Sequence, residues 1–200
     1  MNLIDTIEIL CNEVDSDAMQ VLAKIREAIN NERKPDFSKI KDGDHFTYRG
    51  IEFIRLGEEQ GGILCMTAQV WNETAFDENG CNDWRKSSAR KLLNSEFLDM
   101  LNKDDLLPYH SDLTADNGDI TYGECADYIG LLSCDLYRKY RKIIPLFDEW
   151  MWTCTPWYCG TPNSGGAHSV RRVNPDGTLN NNNAFNSNGL APDCEDVRFE

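Results

Sequence analysis

The chain has little positive charge. Twenty Lys and Arg stand against 34 Asp and Glu, a formal net charge of −14 at pH 7. Phosphate backbones and anionic membranes reward clustered Lys and Arg, so direct binding to nucleic acid or to a membrane is not expected. The chain also lacks an apolar run long enough to span a bilayer. Its opening, Met1-Asn2-Leu3-Ile4-Asp5, has no basic stretch, and acids interrupt the apolar positions that follow. No secretory signal is read there, and a cytoplasmic location is expected.

Several chemical signatures are missing as well. G-x-x-x-x-G-K-S/T and G-x-G-x-x-G are absent, and the glycine-rich stretch 160–166 has no Lys, which removes the common phosphate loops. There is no G-x-S-x-G, and His45, His110 and His168 stand in no nucleophile motif. C-x-x-C does not occur. The cysteines at 11, 65, 81, 125, 134, 154, 159 and 194 lack zinc-site spacing and read as buried thiols in a reducing compartment. No catalytic residue, cofactor or metal is therefore expected. Two alternatives stay open. A thiol site would use Cys154 or Cys159 with His168. A calcium site would draw oxygens from Asp77-Glu78-Asn79-Gly80 with Asn82-Asp83, or from Asp112 with Asp116-Asn117-Gly118-Asp119; neither matches an EF-hand loop, and solvated acidic turns account for both.

What is present fits a folded domain. Two hundred residues at 40% hydrophobic content can bury a sizeable core without metals or disulfides. Residues 1–34 read as an N-terminal helical segment. Leu3, Ile7, Leu10 and Val14 form an amphipathic seam, Asp15-Ser16-Asp17 breaks it, and Ala18, Val21, Leu22, Ile25 and Ile29 resume it. That seam either packs on the domain or supports a homodimer.

Residues 35–200 form the second unit. His45–Tyr48 and Ile51–Leu56 read as a hairpin, and 62–68 as a buried strand. Residues 73–83 read as a polar loop. Asp83 can cap a helical region running from Trp84 to Asn102. Residues 103–127 read as loop, Ser133 as the cap of a helix over 134–144, and 150–154, 169–173 and 197–199 as short strands. The order is α+β rather than alternating β/α units. Alternation places Trp150 and Trp152 on one strand face, read as core.

The last quarter carries the recognition candidates. Trp157, Tyr158 and Asn163 precede the strand at 169–173, and Asn180, Asn181, Asn182, Asn183, Phe185, Asn186 and Asn188 follow it. Rigid aromatics beside adaptable amides suit a binding surface. The competing reading is a structural loop that uses Asn in turns.

Several ordered motifs carry a resemblance. Asp44-His45-Phe46 with Gly50-Ile51-Glu52-Phe53-Ile54 is one. Asn82-Asp83-Trp84-Arg85-Lys86-Ser87-Ser88-Ala89-Arg90-Lys91-Leu92-Leu93-Asn94 is another. Leu131-Leu132-Ser133-Cys134-Asp135-Leu136-Tyr137-Arg138-Lys139-Tyr140, Trp152-Thr153-Cys154-Thr155-Pro156-Trp157 and the closing Gly189-Leu190-Ala191-Pro192-Asp193-Cys194 complete the set. Over residues 40–200 the chain resembles the bacterial and phage family catalogued as domain of unknown function 6273. That family's C-terminal pattern is similar to C-type-lectin-like folds, including formylglycine-generating enzymes and the variable proteins of diversity-generating retroelements. The resemblance implies a C-type-lectin-like domain whose loops bind a ligand. Ala191 stands where that family has Arg, and the calcium-site triplets of sugar-binding C-type lectins are absent. The expected function is a non-catalytic binding protein with a protein partner. One alternative is an acidic phage or mobile-element inhibitor that occupies the basic groove of a host defence nuclease, in the manner of an anti-CRISPR nucleic-acid mimic. The other is a thiol-dependent oxidase related to formylglycine-generating enzymes, using Cys154 with Cys159 or Cys194.

Overall fold

The computed structural model describes residues 34–160 and 167–195, with Gln20 and Lys24 alone before them. The seam residues Leu3, Ile7, Leu10 and Val14, the candidate Asn163 and the expected strand at 197–199 lie outside the described residues.

The described chain is a mixed α+β structure. Strands β1 (His45–Tyr48), β2 (Ile51–Glu59) and β3 (Gly62–Thr67) form an antiparallel meander, and the late strand β11 (Asp193–Glu195) returns to pair with β3. A second sheet has the order β4-β10-β7-β8-β9. Its strands are β4 (Asn72–Ala75), β7 (Met151–Pro156), β8 (Ser169–Val173), β9 (Leu179–Asn183) and β10 (Ser187–Leu190). Within it β10 runs parallel to β7 through Gly189 and Met151. Only glycine fits there, because a Cβ on Gly189 would meet Val70 at 2.8 Å and the Trp150 carbonyl at 3.2 Å. A separate hairpin joins β5 (Tyr109–Asp112) to β6 (Glu124–Asp127). Among the described residues from 34 to 195 the α-helices are α1 (Ser88–Leu92) and α2 (Cys134–Tyr140).

Period-two alternation divides the strands between two cores. Phe53, Cys65, Trp152 and Cys154 enter one, with Trp84, Leu93 and Phe97. Their neighbours Ile54, Leu64, Met66 and Met151 enter the other, with Tyr137, Tyr140 and Ile144. Helix α2 presses on the first sheet at Gly57, where an added Cβ would lie 2.8 Å from the Tyr140 hydroxyl. Burying these side chains at about 25 cal/mol per Å2 supplies the main drive to fold.

Several sequence expectations need correction. The single helical region from Trp84 to Asn102 is broken. A 3-10 turn at Trp84–Lys86 is capped by Asp83 as expected, then Ser87 turns extended and its hydroxyl caps α1 by accepting from the Arg90 amide. A π-helical turn, Leu93–Phe97, follows. The loop expected over 103–127 contains β5 and β6, whose buried residues alternate with exposed ones. Strand β4 falls in the expected polar loop at 73–83. Trp150 is not core: it is 49% exposed. Phe76 covers Trp152, at 5.8 Å between ring centroids, and itself packs on Trp84. That cover stops before Trp150.

The asparagine tract is a strand. β9 lies at the edge of the second sheet, paired with β8 from Ser169–Asn183 to Val173–Leu179. The flanking bonds, Asn174 N to Thr178 O (2.8 Å) and Ala184 N to His168 O (2.7 Å), set the phase. Residues 180 and 182 turn their backbone groups to β8, while 181 and 183 turn theirs to the open edge. The two edge amides do not stay bare. Asn181 N donates to Asn180 Oδ1 at 2.8 Å, and Asn183 N donates to Asn182 Oδ1 at 3.0 Å. The tract covers its own edge, which discourages pairing with another strand.

Candidate functional site

The corner formed by Trp157 and Tyr158 is built by pins buried beneath it. Nδ2 of Asn82, a fully buried residue, donates to the carbonyls of Tyr158 and Ser169, each at 2.9 Å, and its Oδ1 accepts from the Tyr122 hydroxyl at 2.8 Å. That hydroxyl accepts in turn from the Gly160 amide at 3.3 Å. Three segments far apart in sequence thus meet on one amide.

The rest of the Asn82–Asn94 motif is structural in the same way. Asp127 accepts from the Trp84 indole at 2.9 Å and from the Arg90 guanidinium at 2.6–2.9 Å. Asn94 bonds the Ile129 carbonyl and the amides of Tyr128 and Ile129. Burial alone would raise the Asp83 carboxyl, but the Arg85 guanidinium and then Lys86 outweigh it and hold the group below its ordinary range.

Trp157 is 41% exposed, and its inner face rests on the Arg171 guanidinium at 5.1 Å. Nε of Arg171 lies 3.3 Å from Asp116 Oδ1, which also pairs with Arg138 at 3.6 Å. Asp116 lines a cavity of about 460 Å3 between the end of β2, the β5–β6 hairpin and the start of α2. Glu59, Asp112, Asp116 and Asp135 stand there against Arg138 and Lys139, so the lining is acidic by two charges.

The other recognition candidates divide by strand alternation. Asn181 and Asn183 share the Arg171 face with Trp157, because they pair with Arg171 and Ser169. Asn180 and Asn182 pair with Arg172 and Val170 on the opposite face. There Trp150 packs over Arg172 at 5.0 Å. Asn186 donates to Asn182 Oδ1 at 2.7 Å, and Asn182 in turn donates to Asn188 Oδ1 at 3.4 Å. Asn188 is only 4% exposed, so it is a buried bonding group and not part of an open surface. Phe185 stands exposed at the β9–β10 turn, against Gly80. Arg171 and Arg172 are absent from the sequence expectations. Two adjacent arginines in a strand must point to opposite faces, and that pattern is the signal that could have found them.

Burial pushes three of the thiols away from reactivity. Cys125 rises to about 11, by desolvation and then by the neighbouring Asp127 carboxylate, and desolvation also raises Cys134 and Cys159. Several acids of the two alternative calcium clusters are engaged by groups of the protein itself. Asp77 accepts from the amides of Asn79, Cys81 and Ser88. Asp112 caps Thr114, and Asp119 caps Thr121, each through both amide and hydroxyl. His45 bonds Glu52 at 2.9 Å, His110 lies 3.7 Å from Glu124, and His168 meets the Gly80 carbonyl at 3.0 Å.

Among known proteins, no family model, no curated sequence and no solved structure matches this chain.

Proposed function

We propose that this is a non-catalytic binding protein that recognises a protein partner through the Trp157–Tyr158 corner, with Asn181 and Asn183 beside it. The observation that carries this reading is the combination of exposure and rigidity. Two large aromatic side chains face solvent, yet buried polar bonds hold the backbone between them and β8. A pre-ordered aromatic loses little entropy on binding, and Trp and Tyr dominate binding energy at interfaces. The test is affinity capture of partners from lysate of the source cells with the parent and with Trp157→Ala and Asn181→Ala. A partner retained equally by all three overturns the reading.

The acidic cavity beside Trp157 favours a basic partner, such as a nucleic-acid-binding enzyme whose groove the protein would occupy. Such binding weakens steeply with salt, and affinity that holds from low to high ionic strength excludes it. The same proposal takes the fold as C-type-lectin-like, supported by the return of β11 to β3 and by the long connections around the second sheet. Unprotected backbone amides at 193–195 in hydrogen exchange would contradict that closure. Self-association through Leu3, Ile7, Leu10 and Val14 belongs to the proposal too, and an oligomeric state unchanged on deletion of residues 1–34 removes it.

A further inference from the structure

We propose that the sheet face opposite Trp157 holds a second site, which takes the carboxylate of a small organic ligand whose flat body lies against Trp150. The inference comes from an account of donors and acceptors on that face. The acceptor oxygens are used within the protein. Asn180 Oδ1 takes the Asn181 amide. Asn182 Oδ1 takes the Asn183 amide and the Asn186 side chain. Asn188 Oδ1 takes Arg172 Nη1 at 3.1 Å and Asn182 Nδ2 at 3.4 Å. These bonds also fix which end of each amide is nitrogen.

The donors are left over. Asn188 Nδ2 and Arg172 Nε are both buried and find no acceptor among the described residues. They flank the single bond that joins the two side chains, so they belong to one small region. A buried donor without an acceptor loses its hydration and gains nothing in return, which marks the region as made for something that accepts.

Charge points the same way. Arg55, Arg85, Arg90, Arg138 and Arg171 each pair with a carboxylate. Arg49, Arg141 and Arg172 have no such pair among the described residues; Arg49 is exposed and Arg141 lies close enough to Asp176 to lower its pKa, whereas the groups found on Arg172 are Asn188 and the Trp150 ring. Burial lowers the pKa of Arg172, the direction expected of a guanidinium held without a counter-charge. Glu73, next to Thr74 on β4, falls on the reverse face, because Thr74 and not Glu73 pairs with Asn188. A carboxylate offers paired oxygens to two donors, and charge-assisted bonds of this kind are the strong ones. The Trp150 ring supplies the flat wall, and its 49% exposure lets it swing from Arg172 to admit a ligand without opening the core. This site lies on the other face from the one proposed for the protein partner, so either can fail alone.

The test is two-dimensional NMR of the full chain, reading the Trp150 indole and Asn188 side-chain amide signals during titration with benzoate, and with benzamide and inorganic phosphate for comparison. Saturable benzoate shifts at both groups are expected, with the Trp157 indole unmoved. Benzamide, which lacks the charge, and phosphate, which lacks the ring, should each bind about ten-fold more weakly or worse. Asn188→Asp, which places a carboxylate beside Arg172, should weaken benzoate binding by about ten-fold or more. So should Trp150→Ala, a substitution at an exposed side chain. Unsaturable shifts, benzamide or phosphate binding equal to benzoate, or full benzoate binding by either variant would overturn the proposal.

Discussion

The Arg171 guanidinium lies 5.1 Å from the centre of the Trp157 ring, while its Nε lies 3.3 Å from Asp116. One side chain therefore supports the exposed aromatic and ties it to the wall of the acidic cavity. A cation on the face of an exposed indole contributes about 0.5–1 kcal/mol. The second consequence is orientation, because the outer face of the ring is left for a partner.

Removing Trp157 should separate binding from stability. Trp157→Ala loses the Arg171 contact and Tyr158→Ala an exposed ring, so unfolding free energy should fall by about 1 kcal/mol or less. Affinity for the partner should fall by about 2 kcal/mol for Trp157→Ala. Chemical denaturation beside a binding titration measures both.

Asn82→Ala should damage the corner from below. It leaves the Tyr158 and Ser169 carbonyls and the Tyr122 hydroxyl without their shared partner. A loss of about 2 kcal/mol in stability is expected, with faster amide exchange at Tyr158 than at the distant first sheet.

Arg90→Ala should cost more than any substitution in the corner. Asp127 would stay buried with its carboxylate unpaired except by the Trp84 indole and the Cys125 thiol. Breaking such a pair costs about 3–5 kcal/mol. Urea denaturation reads the loss, and a midpoint equal to the parent's would contradict the assigned role.

The edge amides of β9 give a prediction about solubility. Replacing Asn180 and Asn182 together by Val bares the amides of Asn181 and Asn183 on an open strand edge. Light scattering should detect association at concentrations where the parent is monodisperse or at its native oligomeric size.

Alkaline pH should unfold the protein through groups whose folded pKa is raised. Desolvation, then the hydrogen bond to Asp105, pushes Tyr48 up to about 12, and Cys125 rises to about 11. Each folded value exceeds the unfolded one, so the stabilisation is complete below the unfolded pKa and lost as pH rises through the folded pKa. Stability should start to fall near pH 9 as Cys125 loses its advantage, and further between 10 and 12 with Tyr48. The opposite sign holds for Asp83, whose lowered pKa gives stability at neutral pH that is lost in acid below the ordinary carboxylate value of 3.8. Alkylation of Cys125, Cys134 and Cys159 at pH 7 should be slow in the native protein and fast in urea.

Much of the fold was legible where local chemistry decides it. The hairpin of β1 and β2, the buried β3 and the Ser133 cap of α2 follow from alternation, turn residues and capping preferences. The Asp83 cap held for the same reason, but Ser87 competes for the next helix start and breaks the expected continuous helix. What stayed hidden depends on partners distant in sequence. β5 and β6 are separated by eleven residues of loop, and their polar exposed positions look like loop until they are paired. The asparagine tract reads as low complexity, and only β8 beside it makes it a strand. Trp150 and Trp152 share a face as expected, but the reach of Phe76 decides that only Trp152 is buried. At the candidate site, the aromatics and amides were visible as residue types. Their division between two faces, and the arginine beneath each tryptophan, required the register.

The most direct test of the central claim is the partner affinity of Trp157→Ala relative to the parent, measured by calorimetry on the captured partner, with Trp150→Ala as the control from the opposite face. A loss of about thirty-fold for Trp157→Ala with the Trp150→Ala variant unchanged is the result expected. Unchanged affinity for Trp157→Ala in a folded protein would contradict the assignment of this corner as the recognition surface.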